Sequence, residues 1–314
     1  MKIYTQLSEF KKLANAVVTI GTFDGVHFGH QKIIKRLCEL AKSSGGESVL
    51  LTFFPHPRMI IDPENQELKM INTIDEKAKI LASLGVDHLI ITPFTRDFSN
   101  LSASDYIKNI LIDTIGTKKI IIGYDHRFGK DRLGSIQTLV ENSSVYGYDV
   151  EEIPEQDIND VAVSSTKIRK ALLDGDVALA NEYLGYAFSI YGPVIKGDKI
   201  GRTIGFPTAN IFVAETYKLI PGDGIYAVTV EMGEEQNPET YRGMAYIGQR
   251  PTINGMTRNI EVNIFDFDRE IYGQNIKMNF LAFLRHDVKF TGLDTLKLQL
   301  QKDKEDTLSF FEGK

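Results

Sequence analysis

Only one cysteine, Cys38, and no tryptophan occur in the 314 residues. A lone cysteine excludes an internal disulfide, and no Cys/His cluster of the kind that closes a structural zinc site is present. No apolar run approaches ~20 residues, so no membrane-spanning helix is expected. Basic charge is also scarce: 36 Lys+Arg stand against 42 Asp+Glu, a formal net charge of −6. Nothing global therefore draws the chain to nucleic acid or to anionic lipid. The segment Met1–Phe10 is mixed polar, without the charged-then-apolar layout of a secretory signal. The expectation is a cytoplasmic protein with neither a membrane nor a nucleic-acid partner. The remaining composition is ordinary for a globular chain, long enough for about two domains that need no covalent staples.

The first half alternates apolar runs with amphipathic stretches. Ala16–Gly21, Ser48–Phe54, Leu89–Thr92 and Lys119–Tyr124 read as buried strands. Gln31–Ser43, Ser104–Ile115 and Ile136–Tyr146 read as helices, the second with Ser102 as a cap. That alternation predicts an α/β domain with a Rossmann-like parallel sheet, whose ligands bind at the carboxyl ends of the strands. Two short helices follow, Ser165–Leu173 and Val177–Leu184. After Gly185 the alternation stops. Phe188–Val194, Gly224–Val230, Met244–Ile247 and Ile260–Phe267 are strand-like and separated by Gly- and Pro-bearing turns, which predicts an antiparallel β-barrel. Leu293–Phe311 reads as a helix, and Lys302–Asp306 as its solvated charge run. The domains are expected at 1–186 and 187–314.

The first candidate site follows the first apolar strand, at Gly21-Thr22-Phe23-Asp24-Gly25-Val26-His27-Phe28-Gly29-His30. Its glycines are not spaced as in a dinucleotide fingerprint, and it lacks the Lys-Ser/Thr end of a Walker A loop. Gly25 and Gly29 let backbone approach a ligand, and a helix start offers free N–H groups to phosphate. His27 and His30, three apart, can donate to developing negative charge on one phosphate. Taken alone, such a pair reads more readily as surface or metal-binding histidines; the strand–loop–helix context reverses that preference in favour of phosphate. Far downstream, Ser164-Ser165-Thr166-Lys167-Ile168-Arg169 opens a predicted helix. Ser165 or Thr166 is expected to cap it, its amides to hold phosphate, and Arg169, one turn in, to bridge phosphate oxygens. The H-x-G-H and S-S-T-x-x-R pair resembles the nucleotidyltransferase superfamily.

The second candidate site begins at Gly197, Gly201 and Gly205-Phe206-Pro207-Thr208-Ala209-Asn210. Thr208 and Asn210 are oxygen donors on one strand face, able to hold Mg²⁺ and nucleotide phosphate. A Gly-rich barrel turn with polar surface residues fits the same letters. Ile260-Glu261-Val262-Asn263-Ile264 alternates strictly, which puts Glu261 on the face away from the core, where it is solvated or, beside a nucleotide, able to take a proton from an attacking hydroxyl. Cys38 reads as a small hydrophobe, and His88 and His286 as surface or strand-end residues.

With Phe54-Pro55-His56-Pro57, Gly123–Gly129, Pro221–Val228, Gly248–Thr252 and Leu284–Phe290 added in order, nearly the whole chain resembles the bacterial bifunctional riboflavin kinase/FAD synthetase family. That resemblance implies an N-terminal domain that adenylylates FMN to FAD and a C-terminal barrel that phosphorylates riboflavin. Both would use ATP with Mg²⁺, with riboflavin, FMN and FAD as substrate and products. It implies that Gly21, Thr22, Phe23, His27, Gly29, His30, Ser165, Thr166 and Arg169 serve ATP in the first half. Gly201, Thr208 and Asn210 would serve it in the second, where Thr208 and Asn210 would also hold the metal. Pro55, Pro57, Asp125, Phe128 and Arg285 would lie near flavin, and Glu261 would be the general base. Thr22, Asp125, His126 and Asn263 depart from the family's usual residues without removing a catalytic group.

Overall fold

The computed structural model describes residues 1–64, 68–124, 126–154, 163–197, 200–234, 236–253 and 256–313. They form two compact units, Met1–Ser165 and Thr166–Lys314.

In the first unit six parallel strands form one sheet: β1 (Lys2–Tyr4), β2 (Ala16–Ile20), β3 (Glu47–Phe54), β4 (His88–Pro93), β5 (Thr117–Gly123) and β6 (Asp149–Ile153), in the order β1-β4-β3-β2-β5-β6. The four expected strands are the central ones, because only strands covered on both faces read as continuous apolar runs. The edge strands β1 and β6 were not evident in the sequence, since their polar positions face solvent. Val18 sits opposite Val49, and Thr19 opposite Ile121. Apolar clusters cover the two sides of the sheet, one built on Ile107, Leu111 and Leu139, the other on Ile34, Leu37 and Leu81.

The helices show why these segments fold locally. Phe28–Ser43 buries Ile33, Ile34, Leu37 and Ala41, as its periodicity predicts. Ser102 does cap its helix, accepting from the Asp105 amide, and the winding turns to π from Tyr106 to Ile115. Ile74–Ser83, not read as a helix from the sequence, starts with a capping box: Thr73 accepts from the Glu76 amide while Glu76 accepts from the Thr73 amide.

In the second unit β7 (Ser189–Ile195), β8 (Ala209–Ile211), β9 (Gly224–Met232), β10 (Glu239–Ile253), β11 (Met256–Ile264) and β12 (Asn275–Arg285) close a barrel in the order β10-β11-β8-β7-β12-β9, with antiparallel pairings. Tyr226, Phe188 and Phe280 are its largest fully buried side chains. A C-terminal helix, Leu293–Glu312, packs on the barrel.

One sequence reading is corrected here, that of the run Lys302–Asp306. The compact units divide at 165/166, ahead of the helix Val177–Leu184, which packs on the barrel. There the Asn181 amide donates to Phe280 O at 2.7 Å and accepts from the Phe188 N–H at 2.7 Å. The run Lys302–Asp306 is not wholly solvated: Asp303 is 1% exposed and takes a bidentate pair from Arg285 on β12, both contacts 2.7 Å. Of the two readings of His88, the strand-end one holds: it opens β4, buried and bonded to Tyr4 Oη and Glu47.

Those contacts predict that a fragment of residues 164–314 is more stable than one of 187–314. Losing the burial of Val177 and Leu184 alone costs on the order of several kcal/mol. Thermal melts of the two fragments check this; equal midpoints would show that the helix adds nothing to the barrel.

Candidate functional sites

In the first unit the chain order reverses between β2 and β5. Loops after β2, β3 and β5 therefore leave the sheet side by side at its carboxyl edge. They carry Gly21–His30, Pro55–Pro57 and the segment that ends at Phe128.

The loop after β2 is tightly tied. Phe23, Gly25 and Val26 all have positive φ, 46°, 84° and 35°. Two of these residues are not glycine, a strain that persists only when the surroundings over-determine it. The ties are visible. The Asp24 carboxylate, 2% exposed, accepts from the Ile71 amide at 3.0 and 3.3 Å. Lys77, 7% exposed, donates from Nζ to Thr22 O at 2.7 Å. Ser165 Oγ donates to Asp24 O at 2.9 Å. The expected cap is thus corrected: the helix begins at Ser165 itself, and that hydroxyl is spent on the loop. Thr166 and Arg169 follow on the same helix.

His27 stands at the cap of the helix Phe28–Ser43, with Gly29 buried in its first turn. The His27 and His30 rings stack at 3.7 Å, and the Phe23 ring meets His30 edge-on at 5.1 Å. Desolvation holds His30 well below the usual imidazole range, and the neighbouring charges of His27 and Lys77 act in the same direction. A neutral ring results, able to donate one N–H to an anion. Pro55 follows β3, and Pro57 opens a short helix whose cap is His56. Phe128 is buried against Tyr106 at 5.3 Å, with His126 stacked on its other contact at 5.9 Å. Asp125, expected at the flavin, lies outside the described residues.

In the second unit the barrel register sets Glu261 directly opposite Asn210 on β8 and Tyr246 on β10. Ile260, Val262 and Ile264 are buried, as the alternation predicts. The opposite face is not open, however. Asn263 is also buried and donates to Pro207 O at 2.7 Å, while Glu261 is half-buried. Its carboxylate accepts from Thr208 Oγ1 at 2.9 Å and from Asn259 Nδ2 at 2.6 Å. Asn259 was not singled out in the sequence, although its place two residues before Glu261 on one strand signals a shared face. Asn210 is buried close to Gly197, where a Cβ would come within 2.4 Å of its Nδ2; only glycine fits there. Gly201 lies in the short helix Ile200–Thr203 and accepts from the Phe206 amide at 2.8 Å. Burial and Asp287, which accepts from its hydroxyl, push the Tyr246 phenol up to about 12.

Phe206, Thr208, Met244, Glu261 and Leu300 line one cavity between barrel wall and C-terminal helix. Arg285 sits behind this wall. Its guanidinium is committed to Asp303 and to His286 O, so it fixes the helix that supplies Leu300. Among the described residues no group of three or more His, Cys, Asp or Glu side chains could hold a metal. Thr208 and Asn210 nevertheless supply the hard oxygens that suit Mg²⁺, which takes few protein ligands when phosphates provide the rest.

His126 generates a prediction. Burial, with Arg132 and Arg127 nearby, pushes its imidazole down to about 4. The unfolded chain titrates near 6.5 and takes up the proton first. The neutral ring therefore costs nothing above that value, and stability is lost as pH falls from 6.5 toward 4. Relative to His126→Phe, the wild type should lose roughly 1–3 kcal/mol between pH 7 and 4.5. Urea unfolding across that range measures it, and parallel pH profiles would refute it.

Comparison with known proteins places the chain in a family. The family model for FAD synthetase matches residues 9–167, and that for riboflavin kinase matches residues 184–311. A bifunctional riboflavin kinase/FMN adenylyltransferase of Listeria monocytogenes is 40% identical over 298 residues, covering 95% of this chain and 93% of its own. One of Bacillus subtilis is 36% identical, covering 96% and 94%. A Streptococcus pneumoniae structure named a macrolide-efflux protein superposes with a TM-score of 0.87 at 32% identity over 98% of both chains. Among the described residues here, no helix is long and apolar enough to cross a membrane.

Proposed function

Since this chain belongs to the family of bifunctional riboflavin kinase/FMN adenylyltransferases, a transferase that makes FMN from riboflavin and FAD from FMN with ATP, we propose that each compact unit carries one of the two reactions. The observation that carries this division is the pairing of a histidine-bearing helix start on the parallel sheet with a hydrogen-bonded glutamate on the barrel. The reaction site would be cytoplasmic.

In the first unit, a phosphate oxygen of FMN attacks the α-phosphorus of ATP, and the bond to the bridging oxygen of pyrophosphate breaks. Charge gathers on the phosphate oxygens and needs donors already in place. His27 and His30 supply N–H groups there, and Gly21, Thr22, Phe23 and Gly29 form the close backbone around them. The amides at the start of the helix Phe28–Ser43 add their partial positive charge. We assign Ser165, Thr166 and Arg169 to the remaining phosphate oxygens, Ser165 through its backbone amide because its hydroxyl is held by Asp24 O, although Thr166 and Arg169 fall just past the 165/166 division. Pro55, Pro57 and Phe128 present apolar surface to the flavin ring, and Asp125 is assigned to the same ligand.

In the second unit, the riboflavin 5′-hydroxyl attacks the γ-phosphorus of ATP, and ADP leaves. Glu261 accepts the hydroxyl proton. The bonds from Thr208 and Asn259 fix the orientation of its carboxylate but leave lone pairs available. Mg²⁺, held by Thr208 and Asn210 together with ATP, would neutralise phosphate charge. Arg285 acts on flavin through the helix it anchors.

Two outcomes test the assignments. Glu261→Gln keeps the outline but removes the proton acceptor, so FMN formation should fall about 100- to 10,000-fold while FAD formation from supplied FMN persists. Chromatographic separation of FMN and FAD after incubation with ATP and Mg²⁺ reads both, and near-normal FMN turnover would remove Glu261 as the base. Conversely, replacing His27 and His30 by Ala should cut FAD formation on the order of 100-fold or more and spare FMN formation. Equal collapse of both reactions would break the division between units.

A further inference from the structure

Lys77 is a buried charge that neither reaction uses. It lies on the helix Ile74–Ser83, 7% exposed, and its ammonium donates to the carbonyl of Thr22. Burying an ammonium is costly, and a Met or Leu would fill the same helical position without that cost. Its surroundings suggest what offsets it. Nζ lies 2.7 Å from Thr22 O, the second residue of the loop, and the Asp24 carboxylate stabilises its charge. Asp24 is itself bonded to the amide of Ile71, just ahead of the same helix. The helix start is fixed by the Thr73–Glu76 capping box. Segment 71–77 thus grips the loop at two points, one before and one within its run of positive φ.

We propose that Lys77 is a positioning residue for adenylyl transfer, which with Asp24 holds the Gly21–His30 loop in its strained conformation and presents His27 and His30 to the reacting phosphates. This rests on assigning adenylyl transfer to the first unit. The second consequence of its place is electrostatic. The Lys77 charge is one of the influences that depress protonation of His30, after desolvation and His27. Asp24, His27, His30 and Lys77 are titratable groups that act on one another here. Burial brings the Lys77 ammonium down to about 8, with Asp24 opposing that fall, so it remains mostly charged at neutral pH.

The test uses the full-length protein with Lys77→Met, Lys77→Arg and Asp24→Asn. Small misplacements of a donor array cost up to about 100-fold in rate. Lys77→Met should lower kcat for FAD formation about 10- to 100-fold, with a smaller change in KM for ATP, and leave FMN formation from riboflavin unchanged. NMR titration of the His30 imidazole should move upward in Lys77→Met and stay near the wild-type position in Lys77→Arg, which keeps the charge. A residue that only filled space would not move that titration. Asp24→Asn, which keeps its size, should reproduce the kcat loss should Lys77→Met fail to fold. Unchanged kcat in both Lys77→Met and Asp24→Asn, or an unmoved His30 titration with a kcat loss matched by lost thermal stability, would overturn the proposal. A wild type that makes no FAD from FMN and ATP would instead overturn the assignment of the first unit.

Discussion

A parallel sheet brings its chemistry to the carboxyl ends of its strands, and the N-terminal unit depends on where its chain order reverses. The chain runs outward from β2 through β3 to β4, then returns past β2 to lay down β5. Only at that reversal do neighbouring loops splay apart and leave a crevice. The loops after β2, β3 and β5 border it, and they hold the histidines, the two prolines and Phe128. The apolar clusters on both faces of the sheet are conditions for this placement, since they fix the strand ends from which each loop departs.

The barrel solves its problem by register instead. Closure makes each residue's neighbours on adjacent strands obligatory. Glu261 meets Asn210 on one side and Tyr246 on the other because β11 lies between β8 and β10. A one-residue slip would turn Glu261 into the packed interior and put Val262 in its place. The apolar residues that alternate with Glu261 are therefore what aim it. The same logic extends to the C-terminal helix, where Asp303 and Arg285 bond across from helix to strand and fix the wall that carries Leu300.

How much of this was legible in the sequence follows from the same physics. Central strands and amphipathic helices announce themselves because both depend on apolar periodicity. The edge strands β1 and β6 and the three-residue β8 do not, being short or half-solvated. His27, His30, Thr208 and Glu261 stood out because their spacing matches a chemistry. Asn259 and Lys77 did not, since their roles arise from contacts between distant segments, 55 residues apart for Lys77 and Thr22. One local signal was available: Thr73-x-x-Glu76 marks a helix start, and that helix places Lys77 on the buried side with Ala78 and Leu81. Asp303 misled for the opposite reason. Its neighbours in a charge run look solvated, and only the partner on β12 makes burial tolerable.

Lys77 and Asp303 share a lesson about how charge is used away from a reacting centre. Each is almost fully buried, and each is paired so that its removal leaves a partner exposed to the same low-dielectric surroundings. Such pairs add little net stability over a hydrophobic replacement, because desolvation offsets most of their attraction. What a directional, charged contact supplies that a methyl group cannot is a single arrangement. Asp303 fixes one position of the C-terminal helix, and Lys77 fixes one position of a loop whose backbone is strained. The demand for one arrangement is greatest where donors must meet a phosphate with little reorganisation, which is the role proposed here for the loop that Lys77 holds.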